Sequence, residues 1–297
     1  MHAGSRVRKA VIPAAGFGTR LFPASKATKK ELFPIIDMDG IAKPAILLIV
    51  EEALSAGIEE VCIIVQEDDR RDFEAFFKTQ ISVENFNKLP RHFQEYARRL
   101  LDLGARVSFV VQQAQEGFGH AVYCAREFVG DEPFLLMLGD HIYRANGDVS
   151  CAAQVIDVYN QHGLSVVGVK RTPETQISSF GTLGGFWTDD NMTTLSVTEF
   201  AEKPTMEYAR ENLRIEGLPE GEYLTIFGQY VIKPQVFEYL EEHVTHNVRE
   251  RGEFQLTSCL DRLRREDGFL GYMVDGQRFD IGLPDRYVET LVAYRGG

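Results

Sequence analysis

The sequence predicts an α/β fold, a Rossmann-like mixed sheet with helices on both faces. Two patterns support this prediction. In the first half of the chain, short apolar runs such as residues 59–66 alternate with amphipathic segments such as residues 43–57, as in a parallel sheet that helices cover. In the second half, β-branched segments between turns, at residues 180–204 and 223–232, indicate antiparallel strands.

The elements of the first half follow in a regular order. The helix over residues 43–57 stops at Gly57, because glycine commonly ends helices. Strands and helices alternate over residues 7–14, 43–57, 59–66, 106–112, 119–129, 133–140, 148–163 and 164–170. This order predicts a doubly wound sheet.

Residues 67–104 interrupt the alternation. The stretch is charged, but its apolar residues, among them Phe73, Phe77 and Tyr96, recur at helical spacing. We therefore expect a helical insertion at the edge of the sheet or over a site.

The end of the chain is also predicted to be helical. Helical patterns cover residues 236–246, 254–266 and 285–294, so we expect C-terminal helices over about 253–297. Their apolar faces favour a homo-oligomer. No linker or repeat divides the chain, which predicts a single domain over residues 1–297.

Composition argues against several classes of function. The formal net charge of −12 repels polyanions, and no basic run offsets it, so we expect no nucleic-acid partner. No apolar run approaches the ~20 residues that span a membrane, and the first residues lack the apolar core of a signal peptide. The 4 cysteines lie far apart without CxxC spacing, which argues against a zinc site. We expect a soluble, cytoplasmic protein with no membrane partner.

The most informative stretch is AAGFGTRLFPASKATKKELFP, residues 14–34, directly behind the first predicted strand. Gly16 and Gly18 allow a tight turn whose backbone N–H groups attract phosphate oxygens. Several cations, from Arg20 to Lys30, follow in the same loop. A solvated basic loop is the alternative, but open α/β sheets bind ligands at the carboxyl ends of their strands, which favours a phosphate site.

Two carboxylates are candidates for a metal site. Asp140 ends a wholly apolar strand and is expected to project from the carboxyl edge of the sheet. Asp280 also follows a strand-like segment, in QRFDIG. A turn or helix-capping role is the alternative for either residue, but Mg²⁺ takes one or two carboxylates and completes its shell with phosphate and water.

Two further stretches carry polar groups suited to a nucleotide sugar. VVQQAQEGFGHA contains Gln112, whose carboxamide donates to and accepts from a pyrimidine edge. VTEFAEKP contains Glu202 and Lys203, which suit sugar hydroxyls and phosphate. A polar loop and an exposed charged strand are the respective alternatives.

These stretches occur in the same order as in the sugar-1-phosphate nucleotidylyltransferase family, which the chain resembles from about Arg8 to its C-terminus. The resemblance is carried by the residues 14–34 quoted above and by QEGFGHAV, GDEPFLLMLGD, EFAEKP, GQYVI, GEFQLTSCLDRL and FDIGLPDRYVETLVAY. It implies a glycosyltransferase-A-like fold and Mg²⁺ as the cofactor.

The resemblance also assigns site residues by position. Those implied to meet the nucleotide and its base are Ala14, Ala15, Gly16, Gly18, Thr19, Glu31, Gln112 and Gly117. Those implied to act in the reaction are Arg20, Lys30 and Lys203, with Asp140 and Asp280 as the magnesium ligands. Those implied to lie around the sugar are Gly181, Glu202 and Gly228.

The reaction that the resemblance implies is attack by a sugar 1-phosphate oxygen on the α-phosphorus of a nucleoside triphosphate, with release of pyrophosphate. The Lys30-Glu31 pair resembles uridylyltransferases, which favours UTP and glucose 1-phosphate as substrates over dTTP or another sugar. A nucleotide-sugar sensor without catalysis is an alternative. An NAD-dependent oxidoreductase is disfavoured, because Leu21 replaces the third glycine of GxGxxG.

Two stretches depart from the family pattern. Residues 38–42 look like a short insertion close to the nucleotide loop, and FGTLGG, residues 180–185, differs on the sugar side. Neither departure affects the expected fold or reaction, but both leave the sugar and any regulation open.

Overall fold

The computed structural model describes residues 6–294. The ends of the expected domain, residues 1–5 and 295–297, lie outside this range, as does the end of the expected C-terminal helices. None of the helices between residues 6 and 294 is long and apolar enough to cross a membrane.

A large mixed sheet forms the centre of the described residues, with the order β5-β4-β1-β6-β11-β8-β12-β10-β9, and two small ribbons pair β7 with β13 and β2 with β3. The strands are β1 (Lys9–Pro13), β2 (Pro34–Ile36), β3 (Ala42–Pro44), β4 (Glu60–Val65), β5 (Val107–Val111), β6 (Phe134–Met137), β7 (His141–Ala145), β8 (Ser165–Pro173), β9 (Gly181–Trp187), β10 (Thr194–Glu202), β11 (Glu222–Ile232), β12 (Phe269–Met273) and β13 (Gly276–Asp280). Strands β5, β4, β1 and β6 are parallel, and β11 runs antiparallel between β6 and β8.

Helices cover both faces of the sheet, so the predicted fold class is confirmed. They are α1 (Ala24–Ala27), α2 (Ala45–Ser55), α3 (Glu67–Lys78), α4 (Val83–Lys88), α5 (Arg91–Gly104), α6 (Phe118–Tyr123), α7 (Arg126–Val129), α8 (Cys151–His162), α9 (Met206–Asn212), α10 (Val236–Thr245), α11 (Thr257–Asp267) and α12 (Pro284–Ala293). One face packs on α2, α3 and α8, and the other packs on α6, α7, α10 and α11.

Strand β1 shows why the sheet is buried on both sides. Its apolar residues alternate, with Ala10 and Ile12 in the core on the first face and Val11 in the core on the second. All three are fully buried. Successive side chains of a strand point to opposite faces, so a continuous apolar run places one core on each side.

The carboxyl ends of the parallel strands meet at one edge of the sheet. A side chain at Gly139 would collide with the carbonyl oxygen of Pro13, so glycine lets the chain after β6 pass directly over the end of β1. This close approach places Asp140 beside the loop that follows β1.

Residues 67–104 form three helices, α3 to α5, beside the edge strand β5. Phe73 and Phe77 of α3 are fully buried, and their rings lie 6.4 and 6.2 Å from the ring of Phe109 in β5. The aromatic residues at helical spacing therefore cover one face of the strand at the end of the sheet.

The elements differ from the sequence predictions in several places. We did not predict β7, α9 or β12, and the helix expected over residues 119–129 is divided between α6 and α7. The segment expected as C-terminal helices contains two strands, β12 and β13, between α11 and α12. β12 pairs in parallel with β8, and β13 pairs with β7, so both depend on partners far away in the chain.

We expect Phe77→Ala to lower the free energy of unfolding by about 3–5 kcal/mol, because it removes a fully buried ring between α3 and β5. Chemical denaturation monitored by circular dichroism measures the change. Val83→Ala, in the neighbouring helix α4 and 76% exposed, is the control and is expected to change stability by no more than about 0.5 kcal/mol. Equal effects of the two substitutions would contradict this packing.

Candidate active site

The loop after β1 presents a row of unpaired backbone amides. Gly18 has φ 71°, in the left-handed region, and begins a short 3₁₀ turn over Thr19–Leu21. Among the described residues, the amides of Ala15, Gly16 and Gly18 donate to no protein acceptor. Exposed amides in such a turn form a site that attracts anions.

The basic residues of this loop have different surroundings. Arg20 and Lys26 are exposed, whereas Lys29 is 8% exposed and forms an ion pair with Asp69 at 2.8 Å. Lys29 therefore anchors the loop to α3, and its positive charge is compensated by a carboxylate of the protein. A carboxylate also neutralises Lys30, as described below.

Asp140 and Asp280 border the same point in space. A Cβ atom built on Gly282 would lie 3.0 Å from Asp280 Oδ1, 3.1 Å from Asp140 Oδ2 and 3.6 Å from Arg20 Nη2. The β7–β13 ribbon produces this arrangement, because Asp280 pairs with His141 and the amide of Ile281 donates to the Asp140 carbonyl at 3.0 Å. Two carboxylates and one guanidinium thus surround the space that glycine leaves open.

Lys30 lies against Asp140. Its Nζ is 2.7 Å from Asp140 Oδ2, and His141 Nδ1 is 3.1 Å from Oδ1 without hydrogen-bond geometry. Burial alone would raise the pKa of Asp140, but Lys30 and His141 outweigh it and hold that pKa well below its ordinary value. Asp140 is therefore a carboxylate at neutral pH.

Glu31, unlike Asp140, has surroundings that favour the protonated, uncharged carboxyl group. Its side chain is almost fully buried, Oε2 has no hydrogen-bond partner, and Oε1 lies 3.8 Å from Lys30 Nζ. Burial raises the pKa of Glu31 to about 8 even though Lys30 opposes the shift. Glu31 therefore carries a proton at neutral pH and lies beside Lys30, without a hydrogen bond to Gln112 or Gly117 in the described structure.

The donor set fits a magnesium ion that is shared with a phosphate ligand. Mg²⁺ is bound through one or two carboxylates plus substrate phosphates and water, and a carboxylate oxygen of Asp140 and one of Asp280 both lie beside Gly282. Between residues 6 and 294, no group of three or more His, Cys, Asp or Glu side chains is arranged to hold a metal. An ion here needs further ligands from the substrate.

Gln112 and Gly117 lie together at the end of β5. The carboxamide of Gln112 donates to the Gly117 carbonyl at 3.2 Å, and Gln115 donates to the Ala15 carbonyl at 2.9 Å, which joins this segment to the nucleotide loop. The space above Gly117 is filled, because a Cβ there would lie 2.7 Å from Glu253 Cβ. Glycine at 117 thus serves this packing.

Gly181 and Glu202 are paired across β9 and β10. A Cβ on Gly181 would lie 3.4 Å from Glu202 Oε2, and the same oxygen accepts a hydrogen bond from Thr257 Oγ1 at 3.2 Å. Lys203 follows with φ 47° and an exposed side chain, its Nζ 3.4 Å from Glu202 Oε1. These residues form one polar surface at the paired ends of β9 and β10, the side of the sheet where the sequence predicts the sugar.

Gly228 lies where β11 departs from regular pairing, between Ile226 and Tyr230. Its φ is 106°, which favours glycine, and Tyr143 Oη donates to its carbonyl at 2.8 Å. Tyr143 belongs to β7, so the ribbon that positions the two aspartates also contacts the irregular part of β11.

Several residues near these sites were not predicted from the sequence. They are Lys170, Tyr143, Thr257, Arg278 and Gly282. Only Gly282 had a local signal in the sequence. It is the last residue of DIG, residues 280–282, and a glycine close to a candidate ligand indicates a close approach of the backbone. The others reach the site from separate strands and helices.

The chain is similar to known proteins over almost its whole length. The model of the nucleotidyl transferase family matches residues 9–296. The protein named UTP–glucose-1-phosphate uridylyltransferase 2 of Staphylococcus saprophyticus is 38% identical over 291 residues, which cover 97% of this chain and 92% of that relative.

Solved structures are similar over almost the whole chain. A UDP-glucose pyrophosphorylase complexed with UDP-glucose has a TM-score of 0.80 and 28% identity, with 97% of this chain and 98% of that chain covered. A UTP-bound UGPase from Acinetobacter baumannii has a TM-score of 0.76 and 26% identity, with coverage of 97% and 93%. From the extent of these matches and of the family model, the chain belongs to the nucleotidyl transferase family.

Proposed function

We propose that this chain transfers the uridylyl group of UTP to glucose 1-phosphate, which yields UDP-glucose and pyrophosphate. The observation that carries the proposal is the convergence of Asp140, Asp280 and Arg20 around Gly282, on the same side of the molecule as the loop with unpaired backbone amides. The printed activity of the uridylyltransferase relatives supports the choice of substrates.

The site suits a reaction between two anions. An oxygen of the sugar phosphate forms a bond to the α-phosphorus of UTP while the bond from that phosphorus to the pyrophosphate oxygen breaks. The main obstacle is to hold like charges together and aligned, so positioning and electrostatic stabilisation are what the protein supplies. No nucleophilic side chain is required.

The proposed roles follow from where each group lies. The amides of Ala15, Gly16, Gly18 and Thr19 and the guanidinium of Arg20 would hold the pyrophosphate part of UTP. Ala14, whose amide donates to the Ile64 carbonyl at 2.7 Å, would line the nucleotide without donating to it. Lys203, with its exposed ammonium, would hold the phosphate of the sugar, and Lys30 would balance charge between the two reactants. Glu202, Gly181 and Gly228 would line the sugar.

Asp140 and Asp280 would hold Mg²⁺. When bound, the ion neutralises phosphate charge and orients the phosphate groups. To bind the ion, the two carboxyl groups must be ionised. Asp140 beside Lys30 has a low pKa and is therefore ionised at neutral pH.

Base selection would use Gln112, Gly117 and Glu31. The buried carboxamide of Gln112 is the better-placed group, since it already lies beside Gly117 and next to the segment joined to the nucleotide loop. Glu31, protonated at neutral pH, would donate as well as accept a hydrogen bond. We propose UTP as the nucleotide, with dTTP as the alternative.

We also propose that the chain is one domain, forms a homo-oligomer and resides in the cytoplasm. A common central sheet supports the single domain. Val288 and Val292, 60% and 72% exposed and one turn apart on α12, form a small apolar surface that supports contact with a second copy.

Asp140→Asn and Asp280→Asn are each expected to lower turnover by about 10²-fold or more, the scale of losing one electrostatic stabiliser. Pyrophosphate release from UTP, glucose 1-phosphate and Mg²⁺ is the assay. Asp148→Asn, at an exposed position, is the matched control and is expected to keep normal turnover. Near-normal rates in a folded Asp280→Asn protein would count against the proposal.

A matrix of nucleoside triphosphates and sugar 1-phosphates tests the substrates. We expect the highest kcat/KM with UTP and glucose 1-phosphate, and discrimination against dTTP of about 10- to 200-fold, since one methyl group in a pocket separates the bases. Tight binding of UDP-glucose without pyrophosphate release from any pair would favour the sensor alternative.

The free energy of unfolding is expected to fall from about pH 5 to pH 8 more steeply in the wild type than in Glu31→Gln. In this range the folded protein keeps a proton on Glu31 that the unfolded chain releases near its ordinary pKa, so rising pH favours unfolding. Urea denaturation at several pH values measures the difference, on the order of a few kcal/mol. Glu84→Gln, exposed on α4, is the control, and parallel pH curves for wild type and Glu31→Gln would contradict the protonation of Glu31.

A further inference from the structure

Two partly buried cations near the site have no carboxylate partner in residues 6–294. Lys170 lies on β8 and Arg278 on β13, and neither forms an ion pair. Other buried lysines do have such partners, for example Lys29 with Asp69 and Lys43 with Asp37. Within the same range, Arg144 is also partly buried without a carboxylate partner, but its guanidinium donates to the carbonyls of Ala293 and Tyr294 and to Gln277. Lys170 and Arg278 keep most of their donors free of partners among the described residues.

Arg278 lies between the two carboxylates and the sugar side. It is two residues before Asp280 on β13, so both side chains project from the same face of the strand. Its guanidinium lies 4.4 Å from the centre of the Phe180 ring, next to Gly181, and its Nη1 donates to the Ile226 carbonyl on β11. A phosphate at this position would lie close to both the ion and the sugar.

Most of the donors of Arg278 are unused. A guanidinium has five N–H groups, and the bond to the Ile226 carbonyl is the single hydrogen bond that the side chain of Arg278 makes within the described structure. Contact with Phe180 fixes the plane of the group, so the remaining donors are held in a fixed orientation. A planar, oriented guanidinium is well suited to an oxyanion.

Lys170 faces like charges. Burial, together with the like charges of Arg278 from β13 and Arg286 from α12, lowers the pKa of Lys170 to about 8. Arg286 is itself paired with Glu289, at 2.7 Å, whereas the other two cations are not paired. An anion between Lys170 and Arg278 would offset this repulsion and raise the pKa of Lys170 again.

We propose that Arg278 and Lys170 form a second binding position for the phosphate group of the sugar 1-phosphate, in addition to Lys203. The inference rests on the proposed function. The sugar phosphate is favoured over the tail of UTP because Arg278 contacts Phe180 and Ile226 on the sugar side, whereas Arg20 and the free amides lie on the loop after β1.

Steady-state kinetics at saturating UTP test the proposal with Lys170→Gln and Arg278→Gln. Each is expected to raise the KM for glucose 1-phosphate about 10- to 100-fold, the effect of losing a hydrogen bond to a charged group. The KM for UTP is expected to stay within about threefold, because its contacts are elsewhere. Arg171→Gln, exposed and on the opposite face of β8, is the matched control for Lys170→Gln and is expected to change neither constant.

Two readouts separate anion binding from a structural effect. Arg278→Lys keeps the charge and is expected to recover part of the KM lost in Arg278→Gln. The KM for glucose 1-phosphate in the wild type is expected to rise as pH increases through about 8, where unliganded Lys170 loses its proton, and this rise is expected to be absent in Lys170→Gln.

Direct binding of inorganic phosphate, measured by calorimetry without UTP, makes the test independent of turnover. Weaker phosphate binding by Lys170→Gln and Arg278→Gln than by wild type and Arg171→Gln supports the binding position. Unchanged phosphate binding, or a larger effect on the KM for UTP than for glucose 1-phosphate, overturns it. A wild-type protein that binds phosphate through these residues but releases no pyrophosphate would refute the proposed function alone.

Discussion

The β7–β13 ribbon is the element on which the arrangement of the site depends. It lies outside the large sheet, yet it pairs the residue next to Asp140 with Asp280 and so brings together two carboxylates that are far apart in the chain. The same ribbon reaches the sugar side through Tyr143, which donates to the Gly228 carbonyl. A displacement of this ribbon would alter both halves of the site at once, because neither half is positioned by its own loop alone.

The candidate site contains positive charge although the chain as a whole is acidic. The overall charge of the chain is −12, but the site combines the exposed Arg20 with the unpaired Lys170 and Arg278. Cations that secure the loop, such as Lys29, are neutralised by carboxylates. Partly buried charges interact more strongly than solvated ones, so a few unpaired cations attract phosphate within an acidic protein.

The sequence allowed us to predict most of the strands and helices of the first half, because their apolar patterns are long and regular. β7 was not predictable in this way, since HIYRA mixes charged and apolar residues and becomes a strand only when β13 lies beside it. The site residues also divide into those with a local sequence pattern and those that depend on distant parts of the chain. Asp140 and the glycine loop follow apolar strands and were predictable, whereas Lys170 and Arg278 become neighbours only through the fold, which no local pattern reveals.

Lys30 gives Asp140 a counterion from the chain itself. Its ammonium lies 2.7 Å from Asp140 Oδ2, one of the two carboxylate oxygens beside Gly282, and helps to keep this aspartate ionised. A magnesium ion from solution must compete with the Lys30 ammonium for the Asp140 carboxylate. An incoming polyphosphate favours the magnesium ion in this competition, because it supplies further ligands to the metal. Metal and nucleotide are therefore expected to be captured together.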